Sequence, residues 1–175
     1  MSENSAGAQI LSEAEGGCSC GDARYRMLGL PMIVHCCHCS WCQRECGSGF
    51  VINALIERDR VPLLTGSVEP VDTPSASGYG QTIVRCSRCK TALWSHYAFA
   101  GIGDQVKFVR VGTLDEPALL PPDVHIFTST KLPWLMLAEG PRVFPEYYRA
   151  KDVWPATSLA RRQALVAAKP GTDHG

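Results

Sequence analysis

The hydrophobic positions along this chain fall in short runs with a repeat of two residues, and glycine or proline closes nearly every run. That period belongs to a strand with one covered face. It predicts strands over residues 23–27, 50–57, 63–64, 68–71, 82–86, 91–97, 106–114 and 124–128, with a weaker one over 143–147. Residues 32–35 lead straight into a cysteine cluster, and residues 43–46 can form one helical turn ended by Gly47. Residues 72–80 (D-T-P-S-A-S-G-Y-G) read as a loop, and 117–122 as a proline-bounded loop or single turn. A period of 3.6 is convincing only over 157–168, where Thr157 or Ser158 can cap a helix of good helix formers. Many short strands at close spacing predict a mostly β domain with a C-terminal helix.

Length and composition bound this picture. The chain has 175 residues, 45% of them hydrophobic, enough for one domain with a real core. The expected division is a flexible leader at 1–15, a domain at 16–150, and a C-terminal helix with a frayed tail at 151–175. Basic and acidic residues balance to a formal net charge of +0, which counts against a surface built wholly for nucleic acid.

Nine cysteines change the picture more than the charge does. The first residues lack the basic and apolar regions of a signal peptide, and no run approaches the roughly 18–20 apolar residues of a membrane helix. A cysteine-rich chain without export is expected to bind metal rather than form disulfides. An odd number of thiols also cannot pair completely within one chain. A cytoplasmic protein with reduced thiols is the expectation.

The densest chemistry is Cys36-Cys37-His38-Cys39-Ser40-Trp41-Cys42. On extended backbone Cys37 and Cys39 share a face, and Cys39 and Cys42 form the C-x-x-C step common at zinc sites. These three thiolates suit one metal with an open fourth position, the mark of a catalytic zinc. Cys36 or Cys46 could instead close the site and make it structural. Elsewhere stand Gly17-Cys18-Ser19-Cys20-Gly21 and Cys86-Ser87-Arg88-Cys89. Cys18, Cys20, Cys86 and Cys89 can close one four-thiolate site, leaving Cys37, Cys39 and Cys42 open. Alternatively Cys39 and Cys42 join Cys86 and Cys89, which strands the other three patterned thiols. A dithiol redox motif at Cys86/Cys89 would want a βαβ unit, and the pattern shows none.

The order G-C-S-C-G, C-H-C-S-W-C with C-G-S-G-F, then C-S-R-C with Leu93-Trp94, resembles the glutathione-dependent formaldehyde-activating enzyme family, which also includes centromere-protein-V-like domains. His125-Ile126-Phe127 and Pro133-Trp134 are similar to its closing segment. The resemblance covers about residues 16–148. It implies a Mss4-like β-tent fold of short antiparallel strands and two zinc ions per chain. One would be structural, on Cys18, Cys20, Cys86 and Cys89; the other catalytic, on Cys37, Cys39 and Cys42. It also implies carbon–sulfur lyase chemistry on an adduct such as S-hydroxymethylglutathione. The chain departs from the family at Lys90, where glycine is usual, and in having Cys36 and Cys46.

Zinc stabilises a thiolate and lowers its pKa, so an open thiolate-rich site suits the handling of a small-molecule thiol or thiol–aldehyde adduct. Arg44, Arg85, Arg88, Arg110 and Lys131 are candidates to receive the carboxylates of such a substrate. His38, between two ligands, is the histidine expected to move protons or orient ligands; His35, His96 and His125 are weaker candidates. Trp41, Trp94 and Trp134 read as core. The alternative function is a non-enzymatic zinc-held β-domain that binds a protein or nucleic acid.

Overall fold

The computed structural model describes residues 12–75, 77–97 and 102–168. The chain is mostly β, as its alternation requires. Its strands are β1 (Glu13–Gly17), β2 (Arg24–Leu28), β3 (Ile33–Cys37), β4 (Val51–Glu57), β5 (Leu63–Thr65), β6 (Val68–Thr73), β7 (Gln81–Cys86), β8 (Ala92–Tyr97), β9 (Val106–Arg110), β10 (Val124–Ile126) and β11 (Arg142–Val143). Two α-helices, α1 (Ser40–Cys46) and α2 (Ala156–Ala168), complete the framework.

Strands β1, β2 and β5 form a small antiparallel sheet, and the other eight form one sheet in the order β11-β10-β3-β4-β9-β8-β7-β6. Pairing in the large sheet is antiparallel except at β10, which runs parallel to both β3 and β11. β10 therefore lays residues 124–126 directly beside His35, Cys36 and Cys37.

Both faces of the large sheet are covered at its centre, so every residue of β3 and β9 is buried. One face packs with Tyr25 and Met27 of β2, in a core with Val34, Ala54, Ile56, Val84, Trp94 and Val109. Tyr25 and Met27 are fully buried, each stabilising the contact by about 1.5–3 kcal/mol. The opposite core holds Ile33, Cys37, Leu55, Phe108, Ile126 and Trp154, with Leu159 and Leu165 of α2 against it.

β1 starts at Glu13 and so occupies part of the stretch expected to be a leader. Its signal was hidden because Glu13-Ala14-Glu15-Gly16-Gly17 contains almost nothing apolar. What holds it is ladder pairing to β2 and the Arg26 Nη2 to Glu15 Oε1 ion pair at 2.6 Å. Gly16 is required there, because a Cβ would lie 2.6 Å from both Thr113 O and Tyr25 Oη. The expected strand over 106–114 stops at Arg110 and continues as a 3₁₀ turn, Val111–Thr113. α2 begins one residue earlier than expected, and Leu159 N bonds Pro155 O. Ser158 does not cap the helix; its hydroxyl donates to Met32 O at 2.7 Å and pins α2 to the start of β3. Residues 1–11 and the expected frayed tail at 169–175 lie outside the described residues.

Candidate metal centres

Two turns bring the first thiol group together. Cys18 and Cys20 lie between β1 and β2; Cys86 ends β7, and Cys89 sits in the turn before β8. The four sulfurs lie within 4.8 Å of one another. Cys18 and Cys20 are 3.4 Å apart, and Cys20 and Cys86 are 3.9 Å apart. Zinc–sulfur bonds of about 2.3 Å in a tetrahedron place sulfurs roughly 3.8 Å apart, so donor set and spacing fit zinc. The Thr91 side chain, with its Oγ1 3.2 Å from Cys89 Sγ, holds the Cys89 thiol down to about 5. Lys90 adopts φ 63°, the left-handed turn a glycine would take. The turn is therefore kept despite the side chain, whose Nζ bonds Ser87 O and Glu69 Oε1 at 2.8 Å each.

The second group forms where β3 runs into α1. Cys37 ends β3, Cys39 is the N-cap of α1, and Cys42 lies in its first turn. Cys39 keeps extended backbone (φ −65°, ψ 150°), so it shares a face with Cys37, and the helix then turns Cys42 back onto both. Their sulfurs also lie within 4.8 Å of one another. Hydrogen bonds from Cys37 and then Cys42 hold the Cys39 thiol down to about 3, with Cys42 N 3.4 Å from its sulfur. The same contact raises Cys37 far above the usual thiol range.

A cavity of about 330 Å³ opens over these three thiols. Its wall includes Trp41, Tyr97, Phe108, Ile126, Phe127 and Tyr147. Phe127 has φ 55°, a strained conformation for a bulky residue, directly after β10. His35, Asn53 and Arg110 are register partners across β3, β4 and β9 and form a polar row. His35 and Asn53 line the cavity. Arg110 Nη1 donates to Asn53 Oδ1 at 2.5 Å and Nη2 to Ser95 Oγ at 2.8 Å. His35 bonds the Tyr148 hydroxyl through Nε2, and burial pulls its pKa down to about 3.

A third cluster lies on the other face of β3. Cys36 Sγ is 3.5 Å from His38 Nε2, which is 2.9 Å from His125 Nδ1, and all three residues are buried. Burial pushes the Cys36 thiol up to about 12 and the His38 ring down to about 4. Strand alternation thus takes Cys36 and His38 away from the cavity. Cys46 is exposed, and its thiol donates to Cys42 O at 2.8 Å. Neither extra cysteine completes the three-thiol group, and His38 is not in the cavity wall.

Other expectations fall differently. Arg44 and Arg88 are exposed, Arg85 pairs with Glu45, and Lys131 Nζ bonds the carbonyls of Leu132 and Leu135 at 3.1 and 2.7 Å. None of the five basic candidates lines the cavity. Trp94 is core, but Trp41 lines the cavity and Trp134 is 71% exposed. His96 sits away from the thiols, with Nδ1 2.8 Å from Val106 O. Sequence reasoning missed Asn53, whose signal was a single amide within the apolar run F-V-I-N-A-L-I-E.

Residues 13–130 match the sequence profile of the family described as glutathione-dependent formaldehyde-activating enzyme. A Halomonas elongata protein named "Putative glutathione-dependent formaldehyde-activating enzyme" is 28% identical over 166 residues, covering 90% of this chain and 98% of that protein. Among solved structures, a Rhodobacter sphaeroides protein superposes with a TM-score of 0.44 at 17% identity, over 58% of this chain and 87% of the other.

Proposed function

This chain belongs to the glutathione-dependent formaldehyde-activating enzyme family, and from that premise we propose that it is a zinc-dependent carbon–sulfur lyase acting on a thiol–aldehyde adduct. S-hydroxymethylglutathione is the form that the family name suggests. The observation that carries this reading is the position of Cys37, Cys39 and Cys42, three converging thiols in the wall of a cavity. A purely structural knuckle would be closed by a fourth protein ligand. Cys18, Cys20, Cys86 and Cys89 provide such a closed set and would hold the structural zinc. The cavity also favours an enzyme over the alternative of a zinc-held binding domain, because it is deep enough for a small molecule.

When bound by the three cavity thiols, zinc supplies a cation that keeps a substrate sulfur as thiolate. In the synthetic direction that sulfur bonds to the aldehyde carbon, the carbonyl π pair moves to oxygen, and the thiol proton ends on that oxygen. Cleavage is the reverse. The chain's own residues prepare the event. Arg110 takes the Oδ1 of Asn53 and so leaves the amide NH₂ as the group Asn53 can offer the oxygen where charge develops. Trp41, Phe108 and Phe127 limit water around the reacting atoms. His35 stays neutral at physiological pH and adds no charge to the wall.

The test is exchange of ¹³C-formaldehyde between free aldehyde and thiol adduct, followed by NMR. Zinc-loaded protein should accelerate it, and Cys39→Ser should abolish the acceleration. Exchange no faster than in buffer, for glutathione and for an uncharged thiol alike, would sink the lyase reading.

A further inference from the structure

Among the described residues no lysine or arginine lines the cavity. Its polar side chains are His35, Asn53, Ser75, Ser77 and Gln81, and the rest of the wall is aromatic, aliphatic or thiol. Of the basic candidates, Arg85 pairs with Glu45 and Lys131 Nζ bonds the carbonyls of Leu132 and Leu135, and neither these nor the exposed Arg44 and Arg88 line the cavity. Arg110, in register with Asn53, gives one donor to Asn53 and one to Ser95 and does not line the cavity. Three thiolates around one divalent ion also leave the centre with a net negative charge. Glutathione carries two carboxylates and one ammonium. An anion entering such a space loses much of its water and finds no lysine or arginine in the wall to offset that loss, which is costly. An aromatic body would instead bury its surface against Phe108, Phe127 and Tyr147.

We propose that the adduct taken by this cavity is built from an uncharged thiol with an apolar or aromatic body, not from glutathione. This rests on the lyase reading above and assigns its substrate class. The chemistry is unchanged and needs no oxidant: the carbon–sulfur bond forms as the thiol proton passes to the aldehyde oxygen.

The experiment uses the zinc-loaded full chain, with phenylmethanethiol and glutathione compared at matched thiolate concentration. Affinity is read by calorimetry and turnover by ¹³C-formaldehyde exchange. Phenylmethanethiol should bind at least tenfold more tightly and exchange at least tenfold faster. Tyr79→Arg, at an exposed position on the cavity rim, should raise glutathione exchange several-fold and narrow the gap. Equal or better binding of glutathione overturns the assignment, and accelerated glutathione exchange would then leave the lyase reading standing. Tight phenylmethanethiol binding with no exchange would sink the lyase reading and keep the apolar class. Binding of neither thiol overturns both.

Discussion

Asn53 and Arg110 stand opposite each other on β4 and β9, and the Arg110 guanidinium donates to the Asn53 Oδ1 at 2.5 Å. A buried arginine beside three thiols invites the role of substrate anchor, yet its hydrogen bonds point into the protein. What it does is fix the orientation of an amide that lines the cavity. Asn53→Asp separates these roles. The aspartate still accepts from Arg110 and keeps the shape, but it has no NH₂ to offer. Exchange of formaldehyde adducts should fall by about 10²-fold, the usual loss for one donor to a developing oxyanion. Zinc content and the melting temperature should hold. An unchanged rate would make Asn53 a structural residue only.

Cys36→Ser should leave the zinc count of the protein unchanged. Cys36 is adjacent to Cys37 in sequence, but alternation along β3 sends its thiol to His38 and away from the cavity. Cys46→Ser should behave likewise, since the Cys46 thiol bonds a carbonyl of α1. Elemental analysis of both variants, purified without chelator, checks this. Loss of one zinc per chain in either variant would show that the extra cysteine holds metal.

The strands and the thiol partition were legible because each leaves a short-range mark. Period-two alternation located β2, β4, β7 and β8 to within about a residue or two. The spacing of C-x-C and C-x-x-C pairs limited which thiols could come together, and the structure gathers Cys18, Cys20, Cys86 and Cys89 in one group and Cys37, Cys39 and Cys42 in another, beside a third group, Cys36, His38 and His125, that no spacing announced. Long-range facts left no such mark. β1 is held by Arg26 and by pairing rather than by its own hydrophobicity. The parallel docking of β10 beside β3, which brings His125 to His38 and Phe127 to the cavity, depends on a crossover of more than eighty residues. His38 was misplaced for a plainer reason: a residue between two ligands on a strand faces the other way. Asn53 and Arg110 become visible as partners only once β4 and β9 are paired.

The C-terminal helix should make stability acid-sensitive through Glu57. Arg161 on α2 donates Nε to Glu57 Oε1 at 2.7 Å, Nη2 to Oε2, and Nη1 to Leu30 O at 3.0 Å. Burial pushes the Glu57 carboxyl up more than any other single influence, but the Arg161 hydrogen bonds, the residue's own backbone N–H and the charges of Arg161 and Arg60 together hold it below its ordinary 4.5. A carboxyl with a depressed folded pKa contributes stability above its unfolded pKa and loses it as pH falls through the folded value. Glu57→Gln should therefore cost about 1–3 kcal/mol near neutral pH. The difference from the parent should shrink toward about pH 3, where the unfolded carboxyl is mostly protonated. Urea unfolding of both proteins across this range measures it. A difference independent of pH would show that the pair contributes no ionic stabilisation.

The two thiol groups should differ in what their loss does to the fold. Cys18 and Cys20 belong to the turn of the small sheet, whereas Cys86 and Cys89 belong to the β7–β8 hairpin of the large one. A metal on all four ties the two sheets together and closes a loop between Cys20 and Cys86, which are 66 positions apart. Such a metal contributes on the order of 10 kcal/mol to folding in small zinc domains, against a typical domain stability of about 5–15 kcal/mol. Cys37, Cys39 and Cys42 sit at one β3–α1 junction, so a metal there closes only short loops and adds less constraint. Cys39 is also the α1 N-cap, and serine is a good N-cap, so Cys39→Ser spares the helix. Cys89→Ser is expected to abolish cooperative folding. Cys39→Ser is expected to keep a cooperative melt, lose one zinc and lose formaldehyde-adduct exchange. Circular dichroism melts with zinc counted in each variant decide the matter. If Cys39→Ser unfolds as badly as Cys89→Ser, the metal at the cavity is structural as well, and the lyase assignment falls with it.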